Sequence, residues 1–202
     1  MALSLRKGGS LSLSKNALRQ VRFGLSWEEG PAGQPRRDAD ITAVALTGDD
    51  PRRVRGEDWV VFYNQVASPG GEMKHSGDER RGAKDGDDES IVIDLTRIPA
   101  DVTEIAFVAT IHDAAKRVAV FPDGGRRGQD WALLNATATL YDDGSDDVIA
   151  TYPLGTDYAG LTAVQPVSLT RTGDGWTYTA LGAGSKQTLF AYLKAWGADV
   201  EE

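Results

Sequence analysis

The chain of 202 residues contains no cysteine and only two histidines, His75 and His112. The missing thiols exclude disulfide bonds, iron–sulfur clusters, cysteine nucleophiles and every zinc site built on thiolates. Two isolated histidines are also too few for the imidazole-rich sites of most transition metals. A metal ion in this protein must therefore be held by oxygen atoms.

The chain also lacks long apolar runs and an excess of positive charge. No segment approaches the roughly 18 consecutive apolar residues of a membrane-spanning helix, and Arg6 and Lys7 interrupt the start too early for a signal peptide. We therefore expect a cytoplasmic protein without a transmembrane segment. Lysine and arginine number 22 against 30 aspartates and glutamates, a net charge of −8. Because nucleic-acid phosphates attract basic surfaces, we expect no nucleic-acid partner.

Alternation of apolar and polar residues, which is typical of half-buried strands, recurs along the whole chain. It is clearest in residues 21–27 and 134–141. Further strands are expected at 3–5, 11–13, 41–46, 59–63, 91–95, 104–111, 148–154, 163–171 and 176–181, the last two joined by a hairpin turn at 173–175. About ten short strands must pair face to face to bury their apolar sides. We therefore expect an all-β protein, a two-sheet β-sandwich formed by residues 1–202 as a single domain.

Only residues 186–196 have the spacing of a helix. Apolar side chains recur there at intervals of three and four residues from Leu189 to Trp196. Ser185 is expected to cap the start, and Gly197 stands where a left-handed residue commonly ends a helix. The sequence thus predicts a short C-terminal helix after the last strand.

Residues 64–90 contain few large apolar side chains although they lie between two predicted strands. A connection of this length within a compact domain is usually functional or disordered. The segment contains four carboxylates within five positions, on Asp85, Asp87, Asp88 and Glu89. Their mutual repulsion raises the free energy of the ion-free protein unless one of them takes up a proton or binds a cation.

A calcium ion would relieve this repulsion, because calcium accepts about six to eight oxygen ligands in flexible geometry. Two further acids, Asp78 and Glu79, lie shortly upstream in the same loop. Candidate ligands from outside the loop are Asn64 at its start and the pair Asp38 and Asp40 beside another predicted strand. A simple solvated acidic loop is the alternative interpretation. The spacing is not that of an EF-hand. In a loop that began at Asp85 the sixth position would have to be glycine, and it is Ser90.

A second acidic group is expected to do no more than form the tip of a hairpin. Its members are Asp142, Asp143, Asp146 and Asp147, around Gly144. His112 is the only histidine beside an acid, Asp113. Because neighbouring side chains on a strand point to opposite faces, these two are not expected to pair. His112 is expected instead to be buried and bonded to the backbone.

Several segments resemble the TerD-type tellurium-resistance and stress-response family. They are KGGSLSL (7–13), DADITA (38–43), VFYNQVASPGG (61–71), HSGDERRGAKDGDDESIVIDL (75–95) and TIHDA (110–114). The resemblance is dense as far as residue 114 and sparser beyond it. It implies a two-sheet β-sandwich, similar in spirit to C2 domains, that binds calcium in its acidic loops.

By position, the resemblance implies eight calcium ligands: Asp38, Asp40, Asn64, Asp78, Asp85, Asp87, Asp88 and Glu89. Two ions are expected. The sequence departs from the family pattern at two positions: Glu28 stands where the family has aspartate, and Glu79 stands where it has asparagine. These departures leave undecided whether one of the two calcium sites is kept.

The residues and the resemblance together predict a calcium-binding stress-response module without catalytic activity. It would bind partners, such as other TerD-like proteins, or the membrane surface, where Lys74, Arg80, Arg81 and Lys84 would face anionic lipid once calcium has neutralised the acids. The alternatives are a calcium-dependent carbohydrate-binding module and, less favoured, a metal-dependent hydrolase. Direct capture of tellurium is chemically implausible, because two methionines are the only soft ligands.

Overall fold

The computed structural model describes residues 3–14, 18–173 and 175–200. As the sequence predicted, strands dominate and helices are few. The strands are β1 (Leu3–Ser4), β2 (Ser10–Ser14), β3 (Gln20–Ser26), β4 (Ala39–Thr47), β5 (Arg53–Val54), β6 (Val60–Val61), β7 (Met73–His75), β8 (Glu89–Asp94), β9 (Val102–Ile111), β10 (Ala119–Val120), β11 (Arg126–Arg127), β12 (Ala136–Asp142), β13 (Asp147–Leu154), β14 (Ala163–Thr172) and β15 (Gly175–Ser185). The helices are α1 (Trp131–Leu134), α2 (Leu189–Ala195) and two single 3₁₀ turns at Glu57–Trp59 and Thr156–Tyr158.

The strands form two large sheets and one separate hairpin. The first sheet has the order β1-β13-β12-β3-β8-β7, and the second has the order β2-β15-β14-β9-β4-β5, with β6 also paired to β4. Within the described residues, strands β10 and β11 pair only with each other. The parallel pair is β1 with β13, and the other strand pairs among the described residues are antiparallel. The two-sheet prediction is confirmed.

The core forms between the sheets because alternate residues of each strand point inward. In β3, Val21, Phe23 and Leu25 are fully buried, whereas Arg22 on the opposite face is partly exposed. The Phe23 ring lies 4.2 Å from the ring of Phe107, which belongs to β9 of the other sheet. Apolar side chains from both sheets therefore share one cluster, as a sandwich requires.

Helix α2 packs on the outer face of the second sheet. It begins at Leu189 rather than at residue 186, because Ser185 is the last residue of β15 and its hydroxyl accepts the N–H of Gln187. Ser185 is therefore not the cap, and Thr188 stands at that position. Gly197 has a φ of +77°, the left-handed value expected at the helix end. Neither α-helix among the described residues is long enough to cross a bilayer.

Short strands account for the differences from the sequence prediction. The predicted strand 59–63 is a 3₁₀ turn followed by the two residues of β6, and the 64–90 segment contains β7, which pairs with β8. Two or three residues are too few for alternation to show. The β14–β15 hairpin is confirmed, although Asp174 of its turn lies outside the described residues.

Candidate functional site

The candidate site lies where β4 begins, at one edge of the sandwich. Ala39 and Ile41 of this strand point into the core, so Asp38 and Asp40 lie on the opposite face. The loop that joins β7 to β8 approaches the same edge and supplies Asp78. Alternation thus aims two acids at one place, and the loop adds a third.

Asp38, Asp40 and Asp78, hereafter the acidic cluster, each contribute one carboxylate oxygen to a group within 4.8 Å of one another. Asp38 and Asp40 are buried, with 3% and 6% of their surface exposed, whereas Asp78 is exposed. The buried Oδ1 of Asp38 accepts no hydrogen bond from the described part of the chain. A buried acceptor without a donor is costly, and a bound cation would satisfy it.

Burial and neighbouring carboxylates perturb the titration of Asp40. Desolvation, followed by the charges of Glu89, Asp38 and Asp78, raises the pKa of Asp40 to about 8, and Arg117 opposes the shift. At neutral pH the ion-free cluster therefore keeps a proton on Asp40 for much of the time. A divalent cation would take the place of that proton.

Three cationic or titratable side chains already contact the acidic cluster. Arg117 Nη2 lies 2.8 Å from Asp38 Oδ2, Arg80 Nη2 lies 2.6 Å from Asp78 Oδ2, and His112 Nδ1 lies 3.6 Å from Asp40 Oδ2. Arg117 is separated from Asp38 by 79 positions, so no local sequence pattern could have indicated this ion pair.

The expectation that His112 is buried is wrong. Its side chain is 39% exposed, and Nε2 lies 3.7 Å from Oδ2 of Asp113. Asp113 has a φ of +50°, so the chain leaves strand geometry directly after β9 and the two neighbouring side chains can approach each other. The rule that adjacent side chains point to opposite faces applies only within the strand.

Glu89 of β8 lies close enough to the acidic cluster for its charge to affect Asp40, and it links the first sheet to β4 of the second sheet. It is completely buried, and its Oε2 accepts the N–H of Ile41 at 3.0 Å while Oε1 accepts the N–H of Glu79 at 3.3 Å. His75 Nε2 lies 3.3 Å from Oε2 of Glu89, and His75 Nδ1 accepts the N–H of Gly77. In the neutral imidazole the proton is therefore on Nε2, and this atom forms no hydrogen bond within the described part of the chain.

Asp88 is held by the backbone instead of pointing into the acidic cluster. Its Oδ2 accepts the N–H of Trp27 at 2.9 Å, and its Oδ1 accepts the N–H of Lys84 at 3.1 Å. Burial raises the pKa of the Asp88 carboxyl, and the two N–H groups oppose this change. Asp85 and Asn64 are exposed at the surface. The structure thus brings together three of the seven acids predicted as ligands, with Glu89 next to them.

Asp87 points towards the first sheet, where Arg22 joins two acidic loops. The hydroxyl of Tyr141 donates to Asp87 Oδ1 at 3.1 Å, and Arg22 Nε lies 3.9 Å from Asp87 Oδ2. Arg22 also forms ion pairs with Asp143 and Asp146. The second acidic group does lie at a hairpin tip, between β12 and β13, but Arg22 connects it to the 76–88 loop. No local sequence pattern indicates this connection, because Arg22 is separated from Asp143 by 121 positions.

Four of the five tryptophans are buried, and Trp196 is partly exposed. Trp59, Trp131 and Trp176 are each at most 4% exposed. Tyr63 is partly exposed and lies edge-to-face with His112, with ring centroids 6.3 Å apart. Of these four aromatic side chains, Trp59, Trp131 and Trp176 are therefore unavailable for contact with a sugar ring at the surface.

Comparisons with known proteins agree with the sequence motifs. The sequence profile of the TerD domain matches residues 1–196. A tellurium resistance protein TerD from Alcaligenes sp is 38% identical over 186 residues, which cover 91% of each chain. General stress protein 16U from Bacillus subtilis (strain 168) is 30% identical over 202 residues, covering 99% of this chain and 100% of that protein.

The fold is also similar to a crystal structure described as a homologue of telluride resistance protein (TerD) from Streptomyces coelicolor A3(2). The TM-score is 0.68 at 21% sequence identity, and the superposition covers 87% of this chain and 95% of the other. At this level of identity the likeness concerns the fold.

Proposed function

Because the chain belongs to the TerD domain family, we propose that it is a calcium-binding module of tellurium resistance or stress response that acts by binding and not by catalysis. Calcium would make its binding to partner proteins or to a membrane surface conditional, in the cytoplasm or at the inner membrane. The observation that carries the proposal is the convergence of Asp38, Asp40 and Asp78, with a buried Asp38 oxygen that lacks a donor.

The donor set of the acidic cluster suits calcium. All three side chains offer carboxylate oxygen, the ligand that hard cations prefer, and the exposed position of Asp78 leaves the cluster open to solvent. Asp38, Asp40 and Asp78 would hold the ion, which would supply positive charge in the place of a proton. A second ion would need Asp85, Asp87 and Asp88, and it has less support because protein donors already engage Asp87 and Asp88.

Ion binding would change the charge of the surface around the loop. The basic residues Arg80, Arg81 and Lys84 lie in the segment that supplies Asp78. Arg80 is paired with Asp78, so an ion on that carboxylate would compete with the arginine. A local gain of positive charge is a common way to make a binding surface conditional.

A catalytic role has less support than a binding role. A cavity of about 210 Å³ lies beside the site, but it is lined by residues 29–36 and Arg81 and includes none of the three acids. Small-molecule sites are commonly about 300–1,000 Å³. The buried tryptophans likewise weaken the carbohydrate-binding alternative, because sugar rings stack on exposed aromatic faces.

Calcium is expected to raise the midpoint of thermal unfolding, and complete chelation is expected to lower it. An ion that binds only the folded state stabilises it by about 2.7 kcal/mol at a hundred times the dissociation constant. Differential scanning calorimetry after stripping with a chelator measures the effect, with magnesium as the comparison ion. A midpoint that is the same in chelator and in millimolar calcium would contradict the proposal.

Calcium binding near pH 7 is expected to release up to about one proton, because the pKa of Asp40 is about 8 in the ion-free protein. Titration calorimetry in buffers of different ionisation enthalpy measures this release. Calcium affinity should rise with pH until the pH exceeds that pKa. In the Asp40→Asn variant the proton release should disappear, and its persistence would assign the proton to another group.

The same pKa shift predicts how the ion-free protein responds to pH. Asp40 has an ordinary pKa of 3.8 and a folded-state pKa of about 8, so between these values the folded chain binds a proton that the unfolded chain does not. The contribution of Asp40 to the free energy of unfolding therefore falls as pH rises from about 4 to about 8. Urea unfolding in chelator should show this slope in the native protein and a smaller slope in Asp40→Asn.

A further inference from the structure

The β10–β11 hairpin has apolar side chains on its solvent-exposed face as well as on its buried face. Ala119 and Phe121 point into the core and are 3% and 4% exposed, whereas Val118 and Val120 on the other face are 40% and 39% exposed. An outward face is ordinarily polar. These two valines are among only five large apolar residues exposed in the described part of the chain.

One arginine that forms no ion pair in the described part of the chain lies beside Val120 on this face. Arg126 is directly opposite Val120 in the hairpin, so both side chains lie on the same face. Lys116 and Arg127 pair with Asp113 and Asp123, but Arg126 has no ion pair within the described residues.

A neighbouring loop brings a further arginine close to β10. The side chain of Gln34 accepts the N–H of Val120 at 3.2 Å, and the carbonyl of Arg36 accepts a bond from Arg117. The loop that carries Arg36 is therefore fixed beside β10. Arg36 is exposed and forms no side-chain ion pair in the described part of the chain.

We propose that Val118, Val120, Arg126 and Arg36, hereafter the hairpin face, contact an anionic lipid surface. Exposed apolar side chains flanked by arginine match the boundary between headgroups and acyl chains, where the apolar groups enter and the arginines meet phosphate. The protein carries a net charge of −8, so most of its surface is repelled by a negative membrane. A locally basic and apolar face would therefore be the one that turns towards the membrane. A folded protein partner would require roughly 800 Å² from each side, more than four side chains supply.

Arg117 connects the hairpin face to the acidic cluster. It belongs to the segment that leads into β10, and its Nη2 lies 2.8 Å from Asp38 Oδ2. A calcium ion on Asp38 would compete with Arg117 and would reduce the negative charge beside the hairpin. Lipid binding should therefore strengthen with calcium; this coupling rests on the proposed calcium site, whereas the hairpin face itself does not.

Sedimentation with vesicles tests the proposal. The full chain should bind vesicles of equal parts phosphatidylcholine and phosphatidylglycerol, more strongly with calcium than with chelator, and should not bind phosphatidylcholine alone. Arg126→Gln should weaken binding about fivefold, the effect of one basic residue near an anionic surface. Val118→Ser combined with Val120→Ser should weaken it about tenfold, because the variant loses apolar area that would enter the lipid.

Matched variants elsewhere on the surface provide the controls. Val66 and Val148 are 50% and 37% exposed, so Val66→Ser combined with Val148→Ser removes the same groups outside the hairpin. Arg6→Gln removes an exposed charge in the same way. Both controls should bind vesicles as the native chain does. Equal losses in hairpin and control variants would contradict the proposed lipid contact of the hairpin face. A native chain that binds polyglutamate, an anionic polymer without lipid, but does not bind anionic vesicles would contradict it as well.

Calcium titration of the same proteins separates the two proposals. The hairpin variants should bind calcium with native affinity, since none of their substituted residues belongs to the acidic cluster. If the native chain binds no calcium but binds anionic vesicles through the hairpin face, the proposed function fails and the lipid contact stands. If calcium binds and the hairpin variants retain full vesicle binding, the lipid contact fails and the calcium site stands.

Discussion

Exchange of Asp38 and Asp40 together for asparagine is expected to lower calcium affinity at least about tenfold in a calorimetric titration. Both side chains are buried, and with Asp78 they place their oxygens within 4.8 Å of one another. Removing two formal charges weakens the attraction that compensates an ion for its lost hydration shell. Asparagine keeps an oxygen at each position, so the loss reports mainly on charge.

A second double variant distinguishes ligands from a diffuse negative field. Asp142→Asn combined with Asp147→Asn removes the same charge from the β12–β13 hairpin, where these carboxylates bond to Gly144 and Ser145 of their own turn. Its calcium affinity should change little, because exposed charges beyond a Debye length of about 8 Å are largely screened. Equal losses in the two double variants would show that no specific cluster binds the ion.

Glu89→Ala is expected to destabilise the protein by about 3 kcal/mol or more, even in chelator. The buried carboxylate accepts the N–H groups of Ile41 and Glu79 and faces His75 Nε2. Its loss would leave the N–H groups of Ile41 and Glu79 without this acceptor in the interior. For a chain of this size the midpoint of thermal unfolding should fall by about 6–12 °C.

Asp85→Ala provides the comparison within the same acidic run. Asp85 is exposed, so its replacement should alter the free energy of unfolding by no more than about 0.5 kcal/mol. Glu89→Gln, which retains one acceptor oxygen, should fall between the two. If Glu89→Ala were as stable as Asp85→Ala in chelator, Glu89 would have no structural role between the sheets.

Local pattern was sufficient for the architecture. Alternation in residues 21–27 follows from the two-residue period of a strand, and it correctly predicted which face of β3 lies in the core. The helical spacing of residues 189–196 likewise predicted α2. The paired residues of β6, β7 and β10 are too few to show a period, so neighbouring strands determine whether they pair at all.

The candidate site was only partly accessible to the same reasoning. Asp38 and Asp40 stand two positions apart on a strand, and this spacing alone puts both on one face. Asp87 and Asp88 also belong to the acidic run, yet one meets Tyr141 and the other meets the backbone of Trp27. The sequence shows that acidic residues are concentrated in a loop, but it does not show where each side chain points.

The sequence by itself thus determined the two-sheet architecture, the C-terminal helix and the acidic character of the loops, because these depend on residues close together in the chain. Tertiary structure alone decided which acids converge and which cations meet them. Arg117 reaches Asp38 across 79 positions, and Glu89 reaches Ile41 across 48. Such contacts depend on how the two sheets are packed, and each is set by geometry that no short segment contains.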